Sequence, residues 1–358
     1  MTDAPRWALV TGASAGIGAA FARELAARGH QLVLTARRED RLQSLAGELR
    51  QRHGVRCEVI AADLADPAAV NALCDELSRR ELAIDVLVNN AGYGVPGHYL
   101  AQPWARHAEF LQVLVTAPCE LAYRLLPGMQ TRRYGRILNI ASLAGHVPGS
   151  AGHTMYAASK AFLIKFSQSL ALENQQYGIN VCAVCPGFTW SEFHDVVGSR
   201  ESVNKMPRWM WMTAEDVARE GVDATERGEI VHVTGRINRL IKGLIKLLPD
   251  INRKFGLSAE QVARLAPDRR LVVFKAITAG GTMLVGRIVT RELVMSMLRV
   301  VGVRLSAQQA VKFVPIAGQG LSAVLTYGAL RYVCEQHIRQ CMSICEQLRL
   351  PAPTVVSA

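Results

Sequence analysis

A tyrosine and a lysine stand four residues apart in the stretch TMYAASKAF, with only small residues between them. On a helix, Tyr156 and Lys160 would lie on one face, about one turn apart. The pKa of a free phenol is about 10, and an adjacent ammonium group favours the phenolate. We therefore expect the pKa of Tyr156 to move toward neutrality, which would let this phenol exchange a proton with a carbonyl or alcohol oxygen.

A serine is predicted near the same point. Ser142 follows the apolar run GRILNI, which is typical of a buried strand. Ligands of open α/β sheets bind beyond the carboxyl ends of the strands. A hydroxyl group there can hydrogen-bond the substrate oxygen that Tyr156 protonates. Together with a hydride donor, these side chains would suffice for the reduction of a carbonyl group.

Alternating apolar runs and amphipathic stretches predict the scaffold that positions these side chains. Six short apolar runs indicate strands, with a seventh at EIVHVTG, and helical patterns separate them. Short buried strands that alternate with helices are typical of parallel pairing. We therefore predict an α/β fold with a doubly wound parallel sheet of six to seven strands, a Rossmann fold, followed by an all-helical C-terminal extension.

The first predicted strand ends in a glycine-rich turn, TGASAGIG. Gly12, Gly16 and Gly18 would let the backbone turn tightly and approach a pyrophosphate group, while the helix that follows offers free N–H groups and the positive end of its dipole. The spacing differs from the commoner G-x-G-x-x-G, and small residues in such a turn can also serve only to pack a helix on a sheet. Because this turn joins the first strand to a helix, it favours dinucleotide binding.

The end of the second predicted strand indicates which dinucleotide would bind. An acidic residue at this place binds the ribose 2′-hydroxyl of NAD(H), but the sequence LTARRED has Ala36 there, followed by Arg37 and Arg38. Guanidinium groups hold a 2′-phosphate through charge-assisted hydrogen bonds. The sequence therefore favours NADP(H), although two arginines would also be ordinary at a solvated helix start.

Five motifs occur in order along the chain: TGASAGIG, NNAG, Ser142, YAASK and PGFT. In this combination the chain resembles the short-chain dehydrogenase/reductase family over residues 5–248. The resemblance implies that Tyr156 is the general acid/base, that Lys160 lowers its pKa and binds the nicotinamide ribose, and that the serine orients the carbonyl group.

The resemblance also implies which residues contact the cofactor. Residues of the glycine turn would line the phosphates, and Asp63 with Leu64 would touch the adenine. Asn90 would support the strand beside the cofactor, and Thr189 would bond the carboxamide. No residue is predicted to bind a metal. The complete predicted set of cofactor-binding residues is Gly12, Ser14, Gly16, Ile17, Gly18, Arg37, Arg38, Asp63, Leu64, Asn90, Ala91, Gly92, Tyr156, Lys160, Pro186, Gly187 and Thr189.

The sequence departs from the family pattern at one functional position. Members commonly carry an asparagine in the helix before the serine, where it holds a water molecule that links the lysine to bulk solvent. The corresponding segment here is FLQVLVTAP, which has Leu114 at that place. Since a leucine side chain cannot hold the water, we expect proton resupply to use another path or turnover to be slower.

The segment after PGFT indicates the class of substrate. In this fold it covers the substrate, and here it carries aromatic and methionine side chains at Trp190, Phe193, Met206, Trp209, Met210, Trp211 and Met212. Such a cover suits a large apolar molecule, because methionine adapts to irregular shapes. The same residues would also serve to pack a cover onto the core. A lipophilic ketone or a 3-oxoacyl chain is therefore the expected small-molecule substrate.

Positive charge is concentrated in the C-terminal third of the chain. The net charge is +11, but residues 236–358 carry 18 Lys and Arg against 6 Asp and Glu, whereas residues 1–235 carry 23 against 24. The basic amphipathic stretch RINRLIKGLIKLLPD, residues 236–250, can lie on an anionic membrane surface or pack on the domain with its lysines in water. The tail lacks interleaved aromatic residues, so we expect no nucleic-acid partner.

Three segments are predicted along the chain. Residues 1–250 would form the NADP-binding dehydrogenase domain, residues 251–350 a basic, apolar helical extension, and residues 351–358 a flexible tail. Within the extension, the uncharged stretch Phe313–Leu330 favours a buried or membrane-dipping helix over a membrane span. The sequence around it faintly resembles the end of EcsC-like proteins, a membrane-associated group.

The leading hypothesis is an NADP(H)-dependent carbonyl reductase or alcohol dehydrogenase with Tyr156 as its general acid/base. No signal peptide precedes the first strand, and eight scattered cysteines show no disulfide framework, so we expect a cytoplasmic protein, with membrane association left open. We also expect a homo-oligomer. Leu114 and the basic tail motivate an alternative, a non-catalytic nucleotide-binding or lipid-associated scaffold that retains the fold.

Overall fold

The computed structural model describes residues 5–95, 97–147, 152, 154–192 and 208–243. The predicted helical extension and flexible tail lie outside the described residues, and so do Phe193, Met206 and residues 244–250 of the basic stretch.

Seven parallel strands form one sheet. They are β1 Trp7–Thr11, β2 Gln31–Thr35, β3 Cys57–Val59, β4 Ile84–Asn89, β5 Gly135–Ile140, β6 Ile179–Cys185 and β7 Val231–Val233. Their order across the sheet is β3-β2-β1-β4-β5-β6-β7. The chain therefore builds outward from β1 to one edge and then from β4 to the other. This arrangement confirms the predicted doubly wound α/β fold, including the seventh strand.

Burial on both faces explains why the strands have continuous apolar runs. In β1 the residues from Ala8 to Thr11 are all buried, and β6 has a similar pattern. Parallel strands covered by helices on both sides leave no solvated face for polar side chains. The edge strand β3 spans only Cys57–Val59 of the predicted run RCEVIAADL, and beyond it the N–H groups of Ile60 and Ala62 still donate to Leu34 and Ala36.

Helices cover both faces of the sheet. They are α1 Gly16–Ala27, α2 Glu39–His53, α3 Ala69–Arg79, α4 Trp104–Leu111, α5 Ala117–Arg132, α6 Thr154–Asn174 and α7 Ala214–Glu226. The helices α1, α2 and α7 share one hydrophobic core with one face, and α3 to α6 share a second core with the other.

The crevice between β1 and β4 marks the place where the strand order reverses. β1 pairs with β2 on one side and with β4 on the other, and the helices that follow β1 and β4 lie on opposite faces. Ligands of such sheets bind in this crevice, beyond the carboxyl ends of the strands. The glycine-rich turn follows Thr11 and the NNAG motif begins at Asn89, so the fold brings both motifs to this crevice.

A π-helical turn, Gln112–Thr116, connects α4 to α5. Such turns are rare and frequently occur at functional sites. The turn buries Leu114 in the core on the α3–α6 face. The same side chain packs on the NNAG segment that follows β4, since a Cβ added at Gly92 would lie 3.5 Å from Leu114 Cγ.

The described start of the basic stretch is helical over residues 236–243. Asn238 is buried, and Arg239 donates hydrogen bonds to Glu220 and to the carbonyl oxygen of Val233. This part of the stretch therefore packs on the domain, while Leu240 keeps 37% of its surface exposed. In the described ranges, no helix is both long enough and apolar enough to cross a membrane.

Candidate active site

Helix α6 carries the predicted tyrosine and lysine beside the carboxyl end of β5. Lys160 Nζ lies 5.7 Å from the centroid of the Tyr156 ring and donates a hydrogen bond of 2.8 Å to the carbonyl oxygen of Ile140, the last residue of β5. Ser142, two residues further along the chain, hydrogen-bonds the Tyr156 phenol. The fold therefore brings the three predicted catalytic side chains together.

A short 3₁₀-helix, Leu143–His146, fixes the position of the serine. Ser142 Oγ accepts a hydrogen bond of 3.1 Å from the backbone N–H of Ala144. Gly145 packs so closely on α6 that a Cβ there would lie 2.8 Å from the carbonyl carbon of Lys160. The serine hydroxyl is thus held by its own turn, and the turn is held by α6.

Burial shifts the pKa values of Tyr156 and Lys160, and the shift of the Tyr156 pKa is opposite to the one that the sequence predicts. Desolvation raises the pKa of the Tyr156 phenol, and the hydrogen bond with Ser142 lowers it only in part. Desolvation also lowers the pKa of Lys160 to about 8. The expectation that the ammonium group brings the phenol pKa toward neutrality is therefore wrong for this arrangement, because Lys160 is directed at the Ile140 carbonyl and is itself disfavoured as a cation.

The glycine turn between β1 and α1 packs directly on the end of β4. Gly12 has a φ of 66°, and a Cβ there would lie 2.9 Å from the Cα of Ala91. At Gly18 a Cβ would lie 2.3 Å from the carbonyl oxygen of Gly12. Asn90 Nδ2 donates to the carbonyl oxygens of Thr11 and Gly12 at 3.0 and 3.3 Å. Only glycine fits these two positions, and Asn90 locks the turn to the NNAG segment.

The first turn of α1 carries no negative charge of its own, and Ser191 lies over Gly16 at its start. Its N-cap residue, Ala15, provides no side-chain cap, and the turn contains no acidic residue. The first N–H groups of a helix lack intrahelical partners and carry partial positive charge. Gly16 and Ile17 begin the helix, and the Ile17 side chain packs on the core beneath it. This arrangement fits a phosphate group.

Beside the glycine turn, Arg38 bridges two segments of the chain. Its Nε and Nη2 donate to the hydroxyl group of Ser14 at 3.3 and 3.2 Å, and its Nη1 donates to the carboxylate of Glu192 at 3.0 Å. Arg37 is exposed next to it. Both guanidinium groups therefore follow the carboxyl end of β2, the place where a 2′-phosphate is expected.

Asp63 and Leu64 lie in the loop that follows β3. A backbone hydrogen bond of 3.1 Å from Ala62 to Ala36 ties this loop to the end of β2. The exposed Asp63 accepts a hydrogen bond of 3.1 Å from the N–H of Ala65, whereas Leu64 is buried in the core on the α3–α6 face. The loop is thus placed beside the arginines, where an adenosine group would extend.

The segment after β6 brings the PGFT motif to the same edge of the sheet. A Cβ at Gly187 would lie 2.3 Å from Asn238 Oδ1, so the motif packs closely on the buried side chain of Asn238. Thr189 is buried, and its hydroxyl donates to the carbonyl oxygen of Gly187 at 3.1 Å. The carbonyl oxygen of Pro186 lies 3.5 Å from Ser142 Oγ. The motif therefore contacts the serine side of the site, with the threonine hydroxyl held by its own backbone.

Leu114 is the residue that we predict to stand at the family's asparagine position. Its side chain is 1% exposed and packs on Gly92 in the NNAG segment. In the same π-helical turn, Gln112 Nε2 is buried and makes no hydrogen bond within the described residues. The structure thus places hydrocarbon at position 114, and the consequence for proton resupply stays a prediction.

The aromatic residues after β6 divide between the core and the surface. Met210 and Trp211 are buried, whereas Trp190 and Trp209 are 44% and 41% exposed. Trp190 stacks on Trp211 with their ring centroids 4.0 Å apart, and Trp211 also contacts Phe188 at 5.6 Å. Part of the predicted cover therefore packs inward, and its exposed members remain able to contact an apolar ligand.

A buried polar chain behind the site was not predicted from the sequence. Asn89 Nδ2 donates to Asn139 Oδ1 at 2.8 Å, and Asn139 Nδ2 donates to Ser167 Oγ at 2.9 Å. All three residues are buried and join β4, β5 and α6. The available signal was an amide inside each of two apolar strands, because a buried amide requires hydrogen-bond partners. These two hydrogen bonds hold α6, which carries Tyr156, to the sheet.

Comparison with known proteins identifies the family. Residues 6–202 match the family model described as short chain dehydrogenase. The chain is similar to Nodulation protein G from Rhizobium sp. (strain N33), with 38% identity over 242 residues that cover 67% of this chain and 96% of that protein. It is also similar to the Very-long-chain 3-oxoacyl-CoA reductase from Anas platyrhynchos, with 36% identity over 203 residues, 56% of this chain and 64% of that protein.

Solved structures lead to the same family. A short-chain dehydrogenase from Sphingobium yanoikuyae, solved in complex with NADPH, is 35% identical, with a TM-score of 0.60 over 68% of this chain and 95% of that one. The faint resemblance of the tail to EcsC-like proteins is not tested by these matches and stays a prediction. The dehydrogenase motifs, the sheet order and the matches agree, and the chain belongs to the short-chain dehydrogenase family of oxidoreductases.

Proposed function

We propose that the protein is an NADP(H)-dependent carbonyl reductase or alcohol dehydrogenase that acts on a lipophilic ketone or a 3-oxoacyl-type substrate. The observation that carries this proposal is the contact between Ser142, Tyr156 and Lys160 at the carboxyl end of β5. A hydroxyl, a phenol and an ammonium group beside a dinucleotide crevice are the groups that carbonyl reduction requires.

NADP(H) is the proposed cofactor. The glycine turn and the uncapped start of α1 would hold the pyrophosphate, and Arg37 and Arg38 would hold the 2′-phosphate. Lys160 would bond the nicotinamide ribose and Thr189 the carboxamide. The similar dehydrogenase from Sphingobium yanoikuyae was solved with NADPH, which supports the same cofactor here. When bound, the cofactor would supply the hydride to the carbonyl carbon.

Tyr156 would act as the general acid. Because burial raises the pKa of its phenol, the phenol stays protonated at neutral pH, and this is the form that donates a proton to the carbonyl oxygen. Ser142 would hydrogen-bond the same oxygen. Lys160, whose ammonium group lies 5.7 Å from the centroid of the phenol ring and donates to the Ile140 carbonyl, would act by binding the nicotinamide ribose and not by lowering the phenol pKa. Reduction is therefore the proposed direction.

A lipophilic substrate is proposed from the surface beside the site. Trp190 and Trp209 expose apolar surface near the PGFT segment, and apolar and aromatic side chains are the usual lining of sites for lipophilic ligands. One similar protein carries the name Very-long-chain 3-oxoacyl-CoA reductase, which supports a 3-oxoacyl chain as one member of the substrate class.

The substitution Tyr156→Phe tests the assignment of the general acid. It should lower kcat by about 10²–10⁴-fold with a much smaller effect on the affinity for NADPH. The measurement is NADPH oxidation with a panel of lipophilic ketones and 3-oxoacyl thioesters. Tyr123→Phe is the matched control, because it removes the same hydroxyl group from an exposed site on α5. A Tyr156→Phe variant that reduces the panel as fast as the parent would show the assignment to be wrong.

A non-catalytic scaffold that retains the fold is the second candidate function. Leu114, which replaces a polar residue with hydrocarbon close to the site, motivates it. The same panel separates the two candidates. Tight binding of NADPH without hydride transfer to any member of the panel would favour the scaffold over the enzyme.

We also propose that the protein forms a homo-oligomer. Tyr123 on α5 and Leu172 on α6 are 79% and 68% exposed, and apolar surface of this kind supports contact with a second copy. Contact of the basic tail with an anionic membrane surface stays a prediction, as does a cytoplasmic location.

A further inference from the structure

A carboxylate from the segment after β6 reaches the arginines at the end of β2. Glu192 Oε2 accepts a hydrogen bond of 3.0 Å from Arg38 Nη1, and Glu192 Oε1 accepts one of 2.6 Å from Arg41 Nη1. The partners are 154 and 151 positions apart in the sequence. The carboxylate therefore lies at the place that the sequence assigns to a 2′-phosphate.

The contacts of Arg38 define that place. Its Nε and Nη2 donate to Ser14 in the glycine turn, at 3.3 and 3.2 Å, and its remaining terminal nitrogen holds Glu192. The next residue toward β6, Ser191, lies over the start of α1, since a Cβ at Gly16 would be 3.1 Å from Ser191 Cβ. The segment that carries Glu192 thus passes beside both the pyrophosphate turn and the arginines.

Glu192 is an anion at neutral pH. Hydrogen bonds from Arg41 and from Arg38 lower the pKa of its carboxyl group. A carboxylate and a phosphate accept the same guanidinium N–H groups, and two anions on one guanidinium repel each other. The ribose of NAD(H) carries a neutral hydroxyl group at this position, so it meets no such repulsion.

We infer that Glu192 competes with the 2′-phosphate of NADP(H) for Arg38 and thereby weakens the preference of the protein for NADP(H) over NAD(H). This inference rests on the proposed function, because it assumes that Arg38 receives the phosphate. Glu192 is a specificity-determining residue in this account, and it takes no part in the proton transfer.

The substitution Glu192→Gln removes the negative charge and keeps the size of the side chain. Arg38 and Glu192 are each nearly half exposed, so water screens the interaction and the expected effect is modest. The dissociation constant of NADPH should fall about two- to fivefold, while that of NADH should stay unchanged. Both constants are measured with the full-length protein by titration of nucleotide fluorescence.

The matched control is Glu39→Gln. Glu39 is the exposed residue next to Arg38, in the first turn of α2, so its substitution changes the charge of the region by the same amount. Unchanged or weaker NADPH binding in Glu192→Gln would overturn the inference. Tighter binding of NADPH and NADH by the same factor in Glu192→Gln would also overturn it. An equal gain in NADPH affinity in Glu39→Gln would overturn it as well.

The substitution Arg38→Gln separates this inference from the proposed function. It should weaken NADPH binding, and in that background Glu192→Gln should have no further effect, because the shared guanidinium group is gone. If Arg38→Gln leaves NADPH affinity unchanged, the proposed phosphate site is wrong. If Arg38→Gln weakens binding but Glu192→Gln does not tighten it in the parent, only the inference fails.

Discussion

The ammonium group of Lys160 has an unusual environment for a lysine. The side chain is 6% exposed, and its ammonium donates to the neutral carbonyl oxygen of Ile140. Burial without a negatively charged partner raises the free energy of the cationic form of Lys160. Desolvation therefore lowers the pKa of Lys160 to about 8. The protein thus holds at its site a charge that opposes folding at neutral pH.

The substitution Lys160→Met should therefore stabilise the protein while impairing turnover. A shift of the lysine pKa from 10.5 to about 8 corresponds to about 3 kcal/mol, from which the lost hydrogen bond subtracts about 1 kcal/mol. Below pH 8 the lysine is charged in both states, and its burial lowers the free energy of unfolding by the full amount. This loss of stability shrinks as the pH rises, because the folded state releases its proton before the unfolded state does. The advantage of the methionine variant should shrink between about pH 8 and pH 10.5.

Urea unfolding of parent and variant from pH 7 to pH 10 measures this difference in the free energy of unfolding. Lys165→Met on the same helix α6 is the control, because Lys165 is exposed and its replacement should change little at any pH. A pH-independent difference, or a methionine variant less stable than the parent at pH 7, would contradict the expectation.

Spacing alone predicted that Tyr156, Lys160 and Ser142 meet, because a helical interval of four and a strand end are local features. The direction in which the pKa of the Tyr156 phenol shifts could not be predicted from the sequence. It depends on how much of the side chain the surrounding elements bury, and the contact of Lys160 with Ile140 joins residues 20 positions apart. The contact of Glu192 with Arg38 escaped prediction for the same reason.

At the scale of the elements, two helical glycines have opposite environments. Gly18 in α1 is buried against the glycine turn, where a Cβ would lie 2.3 Å from a backbone oxygen and 2.5 Å from Asn90 Nδ2. Gly47 in α2 is exposed, and a Cβ there meets nothing within 4 Å. Close packing of α1 on the glycine turn and Asn90 thus requires glycine at position 18. No packing contact in the described residues requires glycine at position 47.

Alanine substitutions at these positions should have effects of opposite sign. Gly18→Ala should destabilise the protein by about 1–3 kcal/mol, since the nearest obstructing atom is a backbone oxygen, and should weaken NADPH binding by distorting the pyrophosphate turn. Gly47→Ala should stabilise it by about 0.5–1 kcal/mol, because alanine loses less entropy in a helix. Thermal unfolding and NADPH titration of both variants measure this. Equal effects from the two substitutions would show that the packing of the turn is not the cause.

The strands and the glycine turn were predictable because their signals are periodic and local. The buried faces of β1 and β6 appear in the sequence as apolar runs, and Gly29 and Gly54, both with positive φ, mark the ends of α1 and α2. The π-helical turn Gln112–Thr116 has no such signal. Its residues suit an ordinary helix, and Leu114 at its centre is buried by contacts with residues distant in the sequence.

At the scale of the whole molecule, the described surface keeps apolar side chains that no described element covers. Tyr123 on α5 and Leu172 on α6 are the most exposed large apolar residues on those two helices, at 79% and 68%. Single exposed apolar residues are common on monomers, whereas exposed apolar side chains that combine into one patch mark contact surfaces. A second copy of the chain is the occupant that we propose.

The double substitution Tyr123→Glu with Leu172→Glu should therefore lower the mass of the particle in solution. Two carboxylates at an apolar contact would lose their hydration without gaining a partner, which opposes association. Sedimentation velocity of the full-length protein measures the mass. Gln43→Glu with Gln51→Glu on the exposed side of α2 is the control, since it adds the same charge at a distance from both helices. A parent protein that sediments as a monomer, or a double variant that keeps the mass of the parent, would exclude α5 and α6 as the interface.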